Sequence, residues 1–540
     1  VLLCAIPLSL PIADPDLWGH VQYAEDWLRE GALPRTATHT FTAVNHPWIN
    51  HENLAELALA GGFRIAGVAG LLIGKLALGL LLLLLILRQA QRQHVATPVI
   101  CAVLGLVTLS LHVFWLLRPQ LATFVGITLM VLVLDRAFLH WHTRREVTWR
   151  WLWLYPAIQG VWTNAHGGFL AGYLLFATYL AGRATELVWS MPSPRNSPAP
   201  HQNPRKTLAM LAAVAIATGC TMLLNPYGFR LVLWLLGALS APRPEIIEWG
   251  KPDLLAPMFI PYFTLLLLTI AAWVATDRRR DWVHAALLAL TAWQSLSHIR
   301  HIGLFVVLTG FLSLQHIQAL WEAVTQKWTR LKPASSATTS DLRRPRFAVL
   351  GAAALLVSIG TLPVVAQRVA WLRVDRQAYP VDAIRFIQDH RITGRLVVSF
   401  NWAQYAIAAL QPEVQVAFDG RFRTCYPQEI IDQHFDFLLG EVPGRFRSDR
   451  SGPVDPERAL NEGSPDLVLL DRSFPHSVEV MNGQTEFVLL YQDGTAQLWG
   501  RRTRFDHQIR SISSETPPGH LPWPTPHLHV GVRHRSEPPQ

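Results

Sequence analysis

Two aspartates separated by a proline, Asp14-Pro15-Asp16, follow directly on an apolar run that ends at Ile12. Pro15 fixes one backbone dihedral, so the two carboxylates start from a restricted geometry. His20 comes four residues after Asp16, one turn on if the chain becomes helical at Leu17. His51 and Glu52 then open a second helical pattern, with Leu54, Leu57, Ala58 and Phe63 on one face. Acids and imidazoles gathered where an apolar segment meets water suit two chemistries. One is general-base catalysis by Asp14, Asp16 or Glu52, with His20 and His51 beside the substrate. The other is a divalent cation (Mg or Mn) held by Asp14, Asp16 and His20. Helix capping competes for each acid taken alone, because Asp at an N-cap and Glu in a first turn both satisfy a helix start.

The elements that must position these groups are set by composition. Half of the 540 residues are hydrophobic, which excludes an ordinary soluble protein. The net charge of +9 would suggest a nucleic-acid partner in a soluble chain. Here Lys and Arg cluster in short loops between apolar runs, so the charge reads as an orientation signal and no nucleic-acid partner is implied. Cys4, Cys101 and Cys220 lie in apolar segments and Cys425 far along the chain, a spacing that implies no disulfide framework. The chain opens inside an apolar run with no basic flank or cleavage motif, which reads as a first membrane helix lacking its start.

A mainly α polytopic membrane protein follows, with about eleven apolar segments between Val1 and Ala366 at the roughly twenty-residue length that spanning needs. Loops carrying Arg88 and Arg92, Arg144 and Arg145, Arg205 and Lys206, Arg278–Arg280, and Arg343 and Arg344 alternate with loops poor in basic residues. The positive-inside rule puts the basic loops in the cytoplasm, and hence the acidic opening loop and everything past Ala366 outside. The predicted domains are a membrane domain over 1–366 with an outer loop at 13–67, an outer α/β domain over 367–506, and a Pro- and His-rich disordered tail over 507–540.

Unusual polar motifs fall on the same outer side. Arg300, between His298 and His301, offers three possible cations near one membrane boundary, suited to a lipid phosphate. Arg118, before a proline, is an interfacial anchor or a second phosphate contact. Asn164 and His166 line a site, or Gly167 and Gly168 only let two helices approach. In the outer domain, helices over Pro380–His390, Trp402–Leu410 and Pro427–Leu439 alternate with strands at Arg395–Phe400, Val414–Asp419, Asp466–Asp471, Phe487–Gln492 and Ala496–Trp499. Trp402 and Tyr405 beside Asp419 and Arg421 suit sugar or peptide binding, although Asp419-Gly-Arg also reads as a strand end closed by a glycine turn.

With those residues in view, the chain resembles bacterial membrane proteins of the GT-C glycosyltransferase-like group. The resemblance rests on Asp14-Pro-Asp-Leu-Trp-Gly-His20, Pro34-Arg35, Pro47-Trp48 and His51-Glu-Asn-Leu-Ala-Glu56 in the first loop. Later it rests on Arg118-Pro-Gln, Trp162-Thr-Asn-Ala-His-Gly-Gly-Phe169, Asn225-Pro-Tyr-Gly228, Glu248-Trp249 and Phe418-Asp-Gly-Arg421. A looser similarity reaches oligosaccharyltransferase catalytic subunits, but the acid of their WWDYG motif is absent from Val397–Tyr405. Gly19 stands where the group has a second Trp. The resemblance implies inverting transfer of a sugar from a polyprenyl-phosphate donor to a glycan, lipid or protein acceptor, at the outer face of the bacterial inner membrane. Arg300, His301 and Arg118 would then hold the lipid phosphate. A non-catalytic transporter or scaffold in surface-glycan assembly, and a polymerase or ligase of lipid-linked glycans, are the competing functions.

Overall fold

The computed structural model describes residues 1–190, 202–240, 242–331 and 343–505. The tail expected over 507–540 lies outside the described residues, with its five histidines. The chain forms two compact units. One comprises Val1–Pro11, Leu71–Leu233 and Pro244–Leu372; the other comprises Ile12–Gly70, Trp234–Arg243 and Arg373–Gln540. The polar loop 13–67, expected as an appendage of the membrane domain, thus clusters with the C-terminal domain.

The first unit is helical. Among the described residues, five helices are long and apolar enough to cross a membrane: Asn53–Arg92, Thr97–Phe114, Leu121–Arg144, Pro257–Ala275 and Gly351–Ala370. The pair Ile299–Leu312 and Leu314–Lys327, bent by 66°, makes a sixth if it is one span. The protein is a multi-pass membrane protein. Some of the other segments expected as spans are short helices, such as Tyr155–Thr163 with 9 residues. At 1.5 Å per residue it covers under half of the roughly 30 Å hydrocarbon layer. Ile302–Leu312 is apolar on every side and buried from Ile302 to Phe311, as a helix at the centre of a bundle must be. Asn53–Arg92 runs from the second unit into the first and is broken at Gly67, where a φ of 60° leaves the helical region.

The second unit is built on a mixed five-stranded sheet, β1 (Gly394–Val398), β2 (Val414–Val416), β3 (Leu467–Asp471), β4 (Phe487–Gln492) and β5 (Ala496–Arg501). The order is β2-β1-β3-β5-β4, with β1 parallel to β2 and β3, and β5 antiparallel to β3 and β4. Parallel neighbours need crossovers, and helices Ala403–Leu410 and Gln428–Leu439 supply them. The core comprises Val397, Val468, Leu470, Phe437, Met481 and Phe487. The free edge of β2 is covered by the opening loop. Val416 donates its N–H to His39 O (2.9 Å) and accepts from Phe41 N (3.3 Å), and Ile49 N donates to Thr424 O (2.9 Å). An edge that would otherwise present unpaired backbone groups is thereby closed.

Candidate functional site

The two aspartates separate into different roles. Asp14 is 1% exposed, and its Oδ1 accepts the N–H of Asp16 at 2.9 Å, a side-chain turn that fixes the chain entering helix Leu17–Glu30. Asp16 occupies the N-cap position of that helix, yet its side chain makes no capping hydrogen bond. Its carboxylate is half-buried and lies over Gly420: a Cβ built on that glycine would stand 2.6 Å from Asp16 Oδ1. Of the two acids proposed for proton transfer, geometry thus gives Asp14 a structural task and leaves Asp16 beside a space that only glycine keeps open.

His20 sits one turn past Asp16, as the spacing predicts. Its Nδ1 donates to Oε1 of Glu56 at 3.1 Å, while Nε2 lies 4.0 Å from Oε2 of Glu52. Burial alone would lower the imidazole, but the hydrogen bond to Glu56 and the charges of Glu52, Glu56 and Asp16 push it up to about 9. At neutral pH His20 is therefore a cation held among three carboxylates. Asn50 completes the arrangement: its Nδ2 donates to Oε2 of Glu56 at 2.6 Å and its Oδ1 accepts from Glu52 N at 3.1 Å. His51 packs on Trp234, with ring centres 5.7 Å apart.

The expected metal site does not form in this arrangement. Asp14 is used by the Asp16 amide and the His20 ring by Glu56. Among the described residues no group of three His, Cys, Asp or Glu side chains is placed to hold a metal ion. The residues present do not fit a bound divalent cation.

Trp402, Tyr405, Asp419 and Arg421, expected to face substrate, are inside the unit, exposed by 1%, 3%, 0% and 7%. Trp402 Nε1 donates to Ala378 O at 2.8 Å, and Tyr405 packs between Trp18 and Tyr379. Arg421 pairs with Asp419 through Nε and Nη2 (2.9 and 2.7 Å), and reaches Thr38 O at 2.5 Å and Thr38 Oγ1 at 3.1 Å. Burial would raise the Asp419 carboxyl, but Arg421 and the Tyr426 hydroxyl (2.6 Å) hold it below the usual range. These four groups are packed inside the unit.

Three participants escaped the sequence reading. Glu56 lies four residues after Glu52, a spacing that puts both on one helix face and would have found it. Asp26 folds the loop back by accepting from Gln22 (2.9 Å) and pairing with His39 (2.5 Å), 13 residues on. Burial opposes ionisation of Asp26, and the bond to His39 overcomes it, lowering the carboxyl. Gln404 is 3% exposed and fills the space beside Gly19, where any Cβ would overlap its amide. Its Oε1 has no hydrogen-bond partner among the described residues. The residue that replaces Trp in the opening motif is matched by a long side chain from the other end of the chain.

The residues expected near lipid phosphate lie in the first unit. Arg118 Nη1 donates to Glu248 Oε1 at 2.6 Å. The Arg300 guanidinium lies 4.7 Å from the ring centre of Trp249, which also meets His298 and His301 edge-on. Asn164 Nδ2 donates to Gly160 O and Leu224 O (2.9 and 2.8 Å), fastening its turn. His166 Nδ1 accepts the N–H of Gly168 at 3.1 Å and lies 2.7 Å from Thr123 Oγ1. These contacts of Asn164 and His166 tie together their own part of the first unit.

No family model and no curated protein matches the chain. Solved structures do. One is the Archaeoglobus fulgidus oligosaccharyltransferase tethered to an acceptor peptide with an NVT sequon (TM-score 0.49, 12% identity, 87% of this chain and 68% of that chain). Another is AglB from the same organism with an inhibitory peptide and a dolichol-phosphate (0.48, 11%, 87% and 69%). A third is ArnT from Cupriavidus metallidurans bound to undecaprenyl phosphate (0.48, 13%, 92% and 96%). At 11–13% identity no residue role transfers from them, and the roles given above are those of this chain's own geometry.

Proposed function

We propose that the protein is an integral-membrane glycosyltransferase that moves a sugar from a polyprenyl-phosphate donor to an acceptor hydroxyl outside the cytoplasmic membrane. The observation that carries this reading is the placement of Asp16, a half-buried carboxylate at a helix start, one turn from a histidine kept cationic by Glu52 and Glu56. The first-loop resemblance supplies the class of reaction.

In this reading Asp16 takes the proton of the acceptor hydroxyl as its oxygen bonds to the anomeric carbon of the sugar. The carbon–oxygen bond to the lipid phosphate breaks, and the phosphate departs with the electron pair. General-base assistance of this kind is typically worth about 10²–10⁴-fold in rate. His20 orients and electrostatically balances Asp16, while Glu52 and Glu56 hold His20. Arg300 and Arg118, both in the first unit, are the proposed cations for a lipid phosphate, with His301 as a hydrogen-bonding partner. No step passes through a metal ion.

Mass spectrometry of lipid-linked and surface glycans, from cells with and without the protein, tests the reading. Loss of one sugar from a surface glycan, with its lipid-phosphate donor accumulating, supports it. An unchanged glycan profile removes it.

A further inference from the structure

The first unit contains a cavity of about 400 Å³ that the reading above does not use. Its walls come from helices Leu121–Ala137, Phe169–Ser190, Trp282–Ser297 and the bent pair after Ile302, together with the Arg278–Arg279 turn. Two sides differ in character. Val131, Leu134, Phe138 and the 63% exposed Leu139 make an apolar wall. Opposite in chemistry are Arg183, Arg278 and Arg279, with His142, His284 and His316, against the carboxylates of Asp135 and Asp281.

Much of this polar set is tied together. Arg183 Nη2 donates to Asp281 Oδ2 at 2.5 Å and Nη1 to Glu186 at 3.1 Å, and His142 pairs with Asp281 at 2.9 Å. Asp281 also caps helix Trp282–Ser297. That network fixes the fold locally, but it leaves two polar atoms over. Arg183, 1% exposed, has a buried Nε, and His316, 5% exposed, a buried Nδ1; neither atom has a hydrogen-bond partner among the described residues. Both residues line the cavity. Buried polar atoms are rarely left unsatisfied, and a guanidinium N–H can be satisfied only by an acceptor. At the mouth Arg278 and Arg279 are exposed. Guanidinium groups that run from an exposed mouth to a buried floor draw in an anion.

We infer that this cavity is a binding site for a phosphate monoester, the phosphate meeting Arg183, Arg279 and His316 and any attached chain lying on the Val131–Leu139 wall. The apolar wall favours a lipid phosphate as the source, with free phosphate as the other source of the same chemistry. The inference does not depend on the glycosyl-transfer reading.

The test is native mass spectrometry of the full chain in detergent with phosphatidic acid, phosphatidylcholine or inorganic phosphate. Arg183→Ala is a poor variant by itself, because Asp281 and Glu186 would lose their partner and the unit could unfold. Arg279→Glu, at an exposed position, avoids this. The expected result is retention of phosphatidic acid over phosphatidylcholine, weakened about tenfold by Arg279→Glu with an unchanged melting temperature. Displacement of that lipid by millimolar inorganic phosphate, again dependent on Arg279, supports the site with free phosphate as its ligand. Equal retention of the two lipids, or phosphatidic acid retention indifferent to Arg279→Glu, overturns the inference.

Discussion

The guanidinium of Arg421 lies 4.7 Å from the ring centre of Trp48 and 4.6 Å from that of Tyr23, so a residue of the C-terminal domain is clasped by two aromatics of the opening loop. The same group neutralises buried Asp419 and hydrogen-bonds Thr38. Removing one partner of a buried pair leaves an uncompensated charge, typically at a cost of about 3–5 kcal/mol. Arg421→Leu is therefore expected to release the opening loop, read as new proteolytic cuts within 31–50 and a lower melting temperature. Arg421→Lys keeps the charge but loses the planar fork and is expected to fall between. Wild-type resistance in Arg421→Leu would show that the clasp contributes nothing.

Gly19 and Gln404 should be coupled. Alanine in place of a mid-helix glycine ordinarily stabilises by about 0.5–1 kcal/mol, but here the new Cβ would overlap the Gln404 amide. Gly19→Ala is expected to destabilise the wild-type chain by about 1–3 kcal/mol, as overpacking does. In a Gln404→Ala background the same change should become neutral or stabilising. Equal effects in the two backgrounds would mean that the close approach is not sensed in solution.

His20 makes stability depend on pH in a definite direction. Its ordinary value of 6.5 is raised to about 9 in the fold, so the folded chain binds the proton more tightly than the unfolded one. The stabilisation is complete below about pH 6.5 and is lost as pH rises through about 9. A shift of this size corresponds to about 3 kcal/mol at most. Melting temperatures of wild type and His20→Gln in detergent should therefore diverge at pH 6.5 and converge above pH 9. Parallel curves would remove the imidazolium from the site.

The opening loop shows what sequence could and could not reveal. Asp16 and His20 are legible as neighbours because a helical turn joins residues four apart. The strands are legible too, since short apolar runs such as Leu467–Leu470 between turn residues have few other fates. The contact between Thr40 and Val416 is not, because 375 intervening residues carry no local signal for a bridge. Trp402 and Tyr405 read as a binding face because aromatics beside charges often are one. The helix that bears Tyr405 is buried on every side from Ala403 to Leu410, and periodicity cannot separate a buried helix from an exposed aromatic patch. Many of the apolar runs fall on helices among the described residues, but a run says nothing of whether its helix bends, as at Ser313, or stops short, as at Thr163.

Membrane orientation is open to a direct measurement. The positive-inside rule predicts the Arg278–Arg280 turn inside and the C-terminal domain outside. In a background without Cys4, Cys101, Cys220 and Cys425, an impermeant thiol reagent applied to intact cells should label a cysteine at Glu462 and spare one at Asp277. Both positions are exposed, so access to solvent on the wrong side is the only barrier. Labelling of the Asp277 position alone would invert the topology and remove the outer-face reaction with it.

Asp16→Asn separates catalysis from architecture. Asn and Asp serve helix starts about equally well, and the substitution keeps the shape of the side chain. The amount of folded protein should therefore be unchanged. An amide cannot accept the acceptor's proton, so sugar transfer is expected to fall by about 10²–10⁴-fold. Asp14→Asn is the contrasting variant. Its side-chain oxygen can still accept the Asp16 N–H, so transfer should persist with at most a small loss of stability. The measurement is transfer of a labelled sugar from a polyprenyl-phosphate donor by purified protein, with folded yield read in parallel. If Asp14→Asn is the inactive variant and Asp16→Asn the active one, the roles of the two acids are exchanged. If both retain full transfer, neither acid is the base; if wild type transfers nothing and both variants sustain the surface glycan in cells, the transporter or scaffold reading takes its place.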